Sequence, residues 1–519
     1  MKKISLIILT AYISFLLACF KDKGNYDYKN INEIKINGLA TNYSVVLGVG
    51  PLHIEPAIQM SESDADPARF NYYWILYRGS AVIDTLGREA VLNAKINVTP
   101  DLYNLYLRII DNATGVAWKA ATKVTVGTRY STGLMLMGTG ENGNAEVDMI
   151  SMVNDTLAIH GILGNSGLPA LHDPVTIMQI GGKDTNSNNA RLWVMTKSGS
   201  YYLDRKSMLG NPSKIFATIT VTNEFADKTS LTPILAVPQI KERGGTTSSS
   251  YTRAMMTTDG NIFTTHTFLT AGGDYYTNPV NREASNYDKK LKTAPFLWYA
   301  IGSMSNMLWY DTENQRFMLF SSFGIGTTSS ALTDKTTDSF PWNQAAAGRV
   351  LVYGENTRNT DGGSTNGNSF AIMKNNSNQY YIYKFYASGA TPPKRDLYTV
   401  LPLATDFDKA EQYAFSSNRS VVFYSVGNRL YAYDYNKGLE KIYQFPETGG
   451  DAITMLKFDT QIDYATNSLY VATYNSTTKG RLRRYMVGTN PNTVTITPVD
   501  RSDWDGLIKI KDMNWRAIN

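Results

Sequence analysis

Cysteine is almost missing from this 519-residue chain: Cys19 is the only one. No disulfide can close within it, so packing and hydrogen bonds must hold any fold. Histidine is nearly as scarce. His53, His160, His172 and His266 lie far apart, and none sits in a metal-ligand spacing such as HExxH. No GxSxG elbow, P-loop or dinucleotide fingerprint is convincing, so no catalytic residue is nominated and no cofactor is expected. The charge balance is 50 basic against 45 acidic residues, which gives no concentrated basic face and no case for a nucleic-acid partner. After the first twenty residues no apolar run approaches the roughly 18–20 residues of a membrane span. Asp184-x-Asn186-x-Asn188 opens like a calcium loop. The glycine such a loop needs is replaced by Asn189, and Met195 stands where the closing glutamate would be, so the segment reads as a polar turn and no metal site is expected.

The first residues carry a targeting signature. Lys2 and Lys3 precede an apolar run from Ile4 to Leu17, which ends in Leu16-Leu17-Ala18-Cys19. This is the layout of a secretory signal over residues 1–18, too short to span a bilayer core. The lone cysteine stands at the lipobox position, so Cys19 is the expected site of lipidation and membrane anchoring. Acyl chains at one residue add up, at about 0.8 kcal/mol per buried CH₂. Residues 19–32 (CFKDKGNYDYKNIN) are polar and aperiodic, as befits a tether.

Two rhythms follow. From 33 to 127, alternation at Tyr43, Val45 and Leu47, at Phe70, Tyr72, Trp74 and Leu76, and at Tyr103, Leu105, Leu107 and Ile109 predicts half-buried strands. Asp111 to Gly115 reads as a turn, and Val116 to Val126 as a closing strand. Short strands over this length predict an Ig-like β-sandwich with Trp74 in its core. From 128 to 519, seven strand–turn–strand units begin near Leu134, Leu192, Arg253, Met307, Phe370, Val421 and Leu469. A repeat of roughly 50–60 residues with this β content predicts an all-β propeller. The count gives seven blades, with six or eight the alternatives that degenerate repeats leave open. Ser198-Gly199, Asp259-Gly260 and Gly427-Asn428 supply hairpin turn chemistry. Residues 506–515 (GLIKIKDMNW) read as a strand completing the first or last blade.

Tyrosine is abundant, at 34, with 8 Trp and 19 Phe. Strand propensity accounts for most of them. Two aromatic-rich segments between hairpins are the candidate ligand contacts: Tyr275, Tyr276 and Tyr287 in one, Phe340 and Trp342 in the other. The competing expectation is that these rings pin their loops to the body of the repeat. A glycosidase would need two carboxylates across a cleft, and no local pattern nominates a pair.

Cys19 followed by FKDKGNYDY, with Asp22 and Gly24-Asn25-Tyr26-Asp27-Tyr28, then the Phe70-x-Tyr72-x-Trp74 and Tyr103-x-Leu105-x-Leu107-x-Ile109 patterns, resembles the PKD-like family of Bacteroidetes surface lipoproteins. The motif-level likeness lies in the first 115 residues, and the rest is similar only in rhythm. The resemblance implies an outer-membrane lipoprotein facing the cell exterior, beside a SusC-like barrel and a SusD-like lipoprotein, as a non-catalytic accessory to TonB-dependent uptake of oligopeptides or glycans. Two alternatives stand beside it, a propeller hydrolase or lyase and a structural surface-layer protein. In this setting Asp84-Thr85-Leu86 and Asp155-Thr156-Leu157 match a short O-glycosylation pattern.

Overall fold

A computed structural model describes residues 32–47, 49–62, 66–153, 156–180, 191–237, 252–266, 275–302, 306–321, 328–446, 449–461 and 467–516. Cys19 and the tether up to residue 31, the Asp184–Asn188 segment and Asp155 lie outside these residues, whereas Asn32 is buried and accepts from Ser61 Oγ and Glu62 N. The chain divides into two compact units, Met1–Val126 and Gly127–Asn519. Both are built of strands, with only short 3-10 turns beside them.

In the first unit a five-stranded antiparallel sheet has Phe70–Arg78 and Asp101–Asp111 paired at its centre. Ala117–Gly127 and Asn42–Val46 extend one side, and Ala81–Gly87 the other. Strand alternation points Phe70, Trp74 and Leu76 into the same core as Tyr103, Leu105, Leu107 and Ile109. Two short ladders, Ile34–Asn37 with Ala57–Met60 and Leu52–Ile54 with Leu92–Ala94, close that core with Ile34, Ile54 and Leu92. The result is an Ig-like sandwich. Trp74 is fully buried and donates its indole N–H to Glu89 O at 3.0 Å. The turn after Ile110 is organised by Asp111, whose buried carboxylate accepts from Ala113 N at 2.9 Å and Thr114 Oγ1 at 2.9 Å. Arg69 completes it, donating Nε at 2.7 Å and Nη2 at 2.5 Å. The guanidinium holds the Asp111 carboxyl well below the usual carboxylate range.

Among the described residues the second unit contains seven antiparallel sheets of three or four strands, apart from one short two-stranded ladder. None closes on itself. Each of the seven hairpins expected from sequence forms the second and third strands of one sheet. The second strands, such as Asn306–Asp311 and Val421–Val426, are buried on both faces. That is why they read as unbroken apolar runs (MLWY, VVFY) and not as alternation. At the predicted turns Gly260 has φ 77° and Gly427 φ 60°, the left-handed region that glycine enters without strain.

The first strands are Pro174–Ile180, Pro233–Val237, Thr293–Trp298, Arg349–Asn356, Gln412–Phe415 and Ala452–Phe458, in the second to seventh sheets. In the first sheet that edge is taken by Lys509–Arg516, which pairs with Gly133–Thr139. Every first strand except Gln412–Phe415 carries a register shift against its neighbour. Adjacent sheets share apolar cores, and the succession returns to its start. One core joins the first and second sheets through Met137 and Ile177, and another joins the seventh back to the first through Tyr470 and Leu134. Beside the closing strand two glycines leave no room for a side chain. A Cβ on Gly138 would lie 2.1 Å from Lys509 O, and one on Gly480 would lie 1.9 Å from Ile508 O.

Candidate functional site: a cavity bordered by seven strands

The first strands of all seven sheets border one cavity of about 310 Å³. Its apolar wall includes Met178, Leu235, Phe296, Ile301, Met455 and Phe458. A second, larger cavity of about 560 Å³ lies toward the starts of four of these strands, those of the first, second, sixth and seventh sheets, and Gln412 and Lys511 belong to the walls of both. Two features of the backbone place the polar groups. In Lys509–Arg516 the shift leaves Lys511 without a partner residue, since Ile510 pairs with Gly138 and Asp512 with Met137. A bulge of this kind re-aims side chains, and here the successive residues Lys511 and Asp512 both line the cavity. The shift between Leu351 and Tyr353 likewise accompanies Tyr353, Glu355 and their neighbours at the wall.

Of the two carboxylates, Asp512 is fully engaged. Its Oδ1 accepts from Lys457 Nζ at 2.8 Å, and its Oδ2 from Thr176 Oγ1 at 2.5 Å and Asn514 Nδ2 at 2.9 Å. Lys457 also donates to Met513 O at 2.6 Å and Asn514 Oδ1 at 3.2 Å. Arg516 donates Nη1 to Gln179 Oε1 and Nε to Tyr130 O. These groups clasp the first sheet to its two neighbours.

Glu355 is different. Its Oε2 accepts from Phe415 N at 2.8 Å and from the Tyr353 hydroxyl at 3.3 Å. Neither hydrogen bond uses Oε1. The side chain is half-buried in the cavity wall. That enclosure pushes its pKa up to about 8, against the opposing effects of Phe415 N–H, Tyr353 and Lys457. Burial also raises Tyr353 well above the usual phenol value, with Glu355 adding to the shift. At neutral pH the cavity therefore presents a protonated carboxyl able to donate a hydrogen bond.

The aromatic residues singled out in the sequence lie elsewhere. Tyr276 is 0% exposed and packs with Phe216 and Phe263 between the second and third sheets. Phe340 and Trp342, at 2% and 3%, pack on Phe385 between the fourth and fifth. Burial takes these three rings out of ligand contact, because their loops fold back and insert them into the cores. Tyr275 is 49% exposed, and Tyr287 is half-buried with its hydroxyl donating to Glu224 Oε1 at 2.6 Å. His160 sits with Nδ1 3.1 Å from Asp148 Oδ2, where Asp148 also accepts from Gly161 N and Ile508 N. Among the described residues no three His, Cys, Asp or Glu side chains converge as metal ligands. Sequence reasoning missed Glu355, Gln412 and Lys511. No local pattern marks them, since each lies in a strand that mixes polar and apolar residues.

Residues 19–167 match the PKD-like family, a span that covers the first unit and the first three strands of the second. No curated protein matches the chain. Among solved structures, a quinonprotein alcohol dehydrogenase-like protein of Bacteroides thetaiotaomicron is 13% identical, covering 93% of this chain and 100% of its own, with a TM-score of 0.35. The extracellular domain assigned to a one component system of the same organism is 12% identical, covering 90% of this chain and 57% of its own, with a TM-score of 0.33. Likeness at this level carries no argument about activity.

Proposed function

We propose that this protein is a lipid-anchored accessory component of a SusC/SusD-type nutrient importer at the outer surface of the outer membrane. In this reading the PKD-like sandwich is its spacer and docking module, and a seven-bladed β-propeller is its ligand-holding body. The observation that carries the reading is the match to the PKD-like family over residues 19–167, which begins at the cysteine that the lipobox marks for lipidation. The propeller assignment is supported by the seven shared cores that return to their start, by the common cavity, and by the strand Lys509–Arg516 completing the first sheet. Joining a late strand to an early sheet closes such a ring and removes open edges. The cavity's small volume suits the end of an oligomer and not its length.

The test is purification of the native lipoprotein from outer membrane in mild detergent, with identification of what accompanies it. A co-purifying barrel and lid support the assignment, and a protein that emerges alone overturns it. Glu355 favours a second reading, a hydrolase or lyase that uses it as general acid. Turnover of a peptide or glycan mixture that Glu355→Gln abolishes would establish that reading.

A further inference from the structure

The polar groups left free at the cavity include several donors near neutral pH. Lys511 makes no ion pair or hydrogen bond among the described residues and stands exposed at the neck between the two cavities. Gln412, beside it, has no side-chain partner among the described residues. Gln461 spends its Oε1 on Trp515 N at 2.9 Å, which leaves its amide N–H₂ toward the cavity. Glu355 Oε1 is free, and the protonated acid donates. Lys457, the other lysine in the wall of the smaller cavity, is neutralised by Asp512. A neck with one unpaired positive charge and a donor-rich interior calls for a ligand with a single anionic acceptor group. The walls beyond it are apolar, so the body behind that group should be apolar too.

We propose that this cavity takes the C-terminal carboxylate of a short peptide ending in an apolar residue, with Lys511 and Gln412 at the neck and Glu355 within. A uronic acid offers the same carboxylate, but its ring hydroxyls would face Met178, Leu235, Phe296 and Phe458 without partners, at the cost of their hydration. Capture of a chain terminus also gives specificity for length, since an internal segment carries no carboxylate there. The inference rests on the reading of the second unit as a ligand-holding body, and it does not require the importer.

Binding should depend on pH through Glu355. The charged and titratable groups that act on it are Tyr353 on its own strand, Tyr435 beside the sixth sheet and Lys457 from the seventh, while Tyr413 and Asp512 act on Tyr353. Tyr353 and Tyr435 are held well above the usual phenol value by burial, and Lys457 is clasped to Asp512. Glu355 is therefore the group whose ionisation would place a negative charge against the ligand.

The experiment is calorimetric titration of the full protein in mild detergent with Ala-Phe, its C-terminal amide, and galacturonate. The expected result is binding of the free acid at least tenfold tighter than the amide, with galacturonate weaker than both. Lys511→Met should lose at least tenfold and Lys511→Arg should retain binding. Lys511 is exposed, so neither change threatens the fold. Affinity in the wild type should fall about tenfold per pH unit above 8, while Glu355→Gln should be flat. Equal binding of acid and amide, preference for galacturonate, or no binding of any of the three overturns the inference. Peptide binding by a protein that purifies without an importer would sink the importer reading alone. Co-purification of an importer with no peptide binding would sink this inference alone.

Discussion

Replacing Glu355 by Gln should make the protein more stable, and the gain should grow with pH. In the folded chain the carboxyl titrates near 8 because it is enclosed, whereas an unfolded glutamate titrates near 4.5. Below the lower value both states hold the proton and the group contributes nothing. Between the two values the unfolded chain releases a proton that the folded chain keeps. Stability of the wild type then falls by about 1.4 kcal/mol per pH unit, and above 8 the loss is complete. The gap corresponds to a ceiling of roughly 4–5 kcal/mol, reduced by any water that shares the cavity. Glutamine preserves the shape and can still accept from Phe415 N and the Tyr353 hydroxyl, so the comparison isolates ionisation. Urea unfolding followed by tryptophan fluorescence at pH 5, 6, 7, 8 and 9 would measure it, since Trp193, Trp298 and Trp309 are all buried in the second unit. Other titrating groups are common to both proteins and cancel in the difference. Stability curves that run parallel from pH 5 to 9 would refute the enclosed-carboxyl argument.

Three further outcomes can be checked on the same preparations. Gly138→Ala drives a Cβ into Lys509 O, so it should cost on the order of 2–3 kcal/mol in thermal or urea unfolding as the two strands separate. Phe340→Ala and Trp342→Ala should each cost roughly 3–5 kcal/mol, because both rings fill the core around Phe385; a change in ligand affinity with unaltered stability would contradict their burial. Arg69→Met leaves the buried Asp111 carboxylate without its cation. The stability that Asp111 confers is present above the ordinary aspartate range and lost as pH falls through its depressed folded value. The variant should therefore unfold at a higher pH than the wild type in an acid titration followed by Trp74 fluorescence.

The parts of this fold that were legible in sequence are those where burial is one-sided or complete. Phe70-x-Tyr72-x-Trp74 alternates because one face of its strand is packed. LMLM, LWVM and VVFY run unbroken because both faces are. The first strands were not legible, with the exception of Lys509–Arg516. Segments such as Arg349–Asn356 and Ala452–Phe458 mix polar and apolar residues, and their register shifts disrupt the two-residue period on which pattern reading depends. The cavity inherits that opacity. Glu355, Gln412, Lys457 and Lys511 come from separate sheets, and no local spacing relates them. Tyr276, Phe340 and Trp342 misled for the opposite reason. Their Gly-, Asn- and Pro-rich surroundings are those of surface loops, and nothing local to them shows that the rings turn inward.

The pairing of Lys509–Arg516 with Gly133–Thr139 has a consequence for biogenesis. Arg516 reaches back to Tyr130 O across a separation of 386 positions. At ribosomal speeds of about 5–20 residues per second, an interval of roughly 20–80 s separates synthesis of the two partners. Throughout that time the edge of Gly133–Thr139 has no native neighbour, and it is one of the most apolar strands in the chain. An unpaired apolar edge is a template for aggregation. Cellular handling of this chain must therefore either keep it unfolded until its last strand is made or shield that edge while it waits.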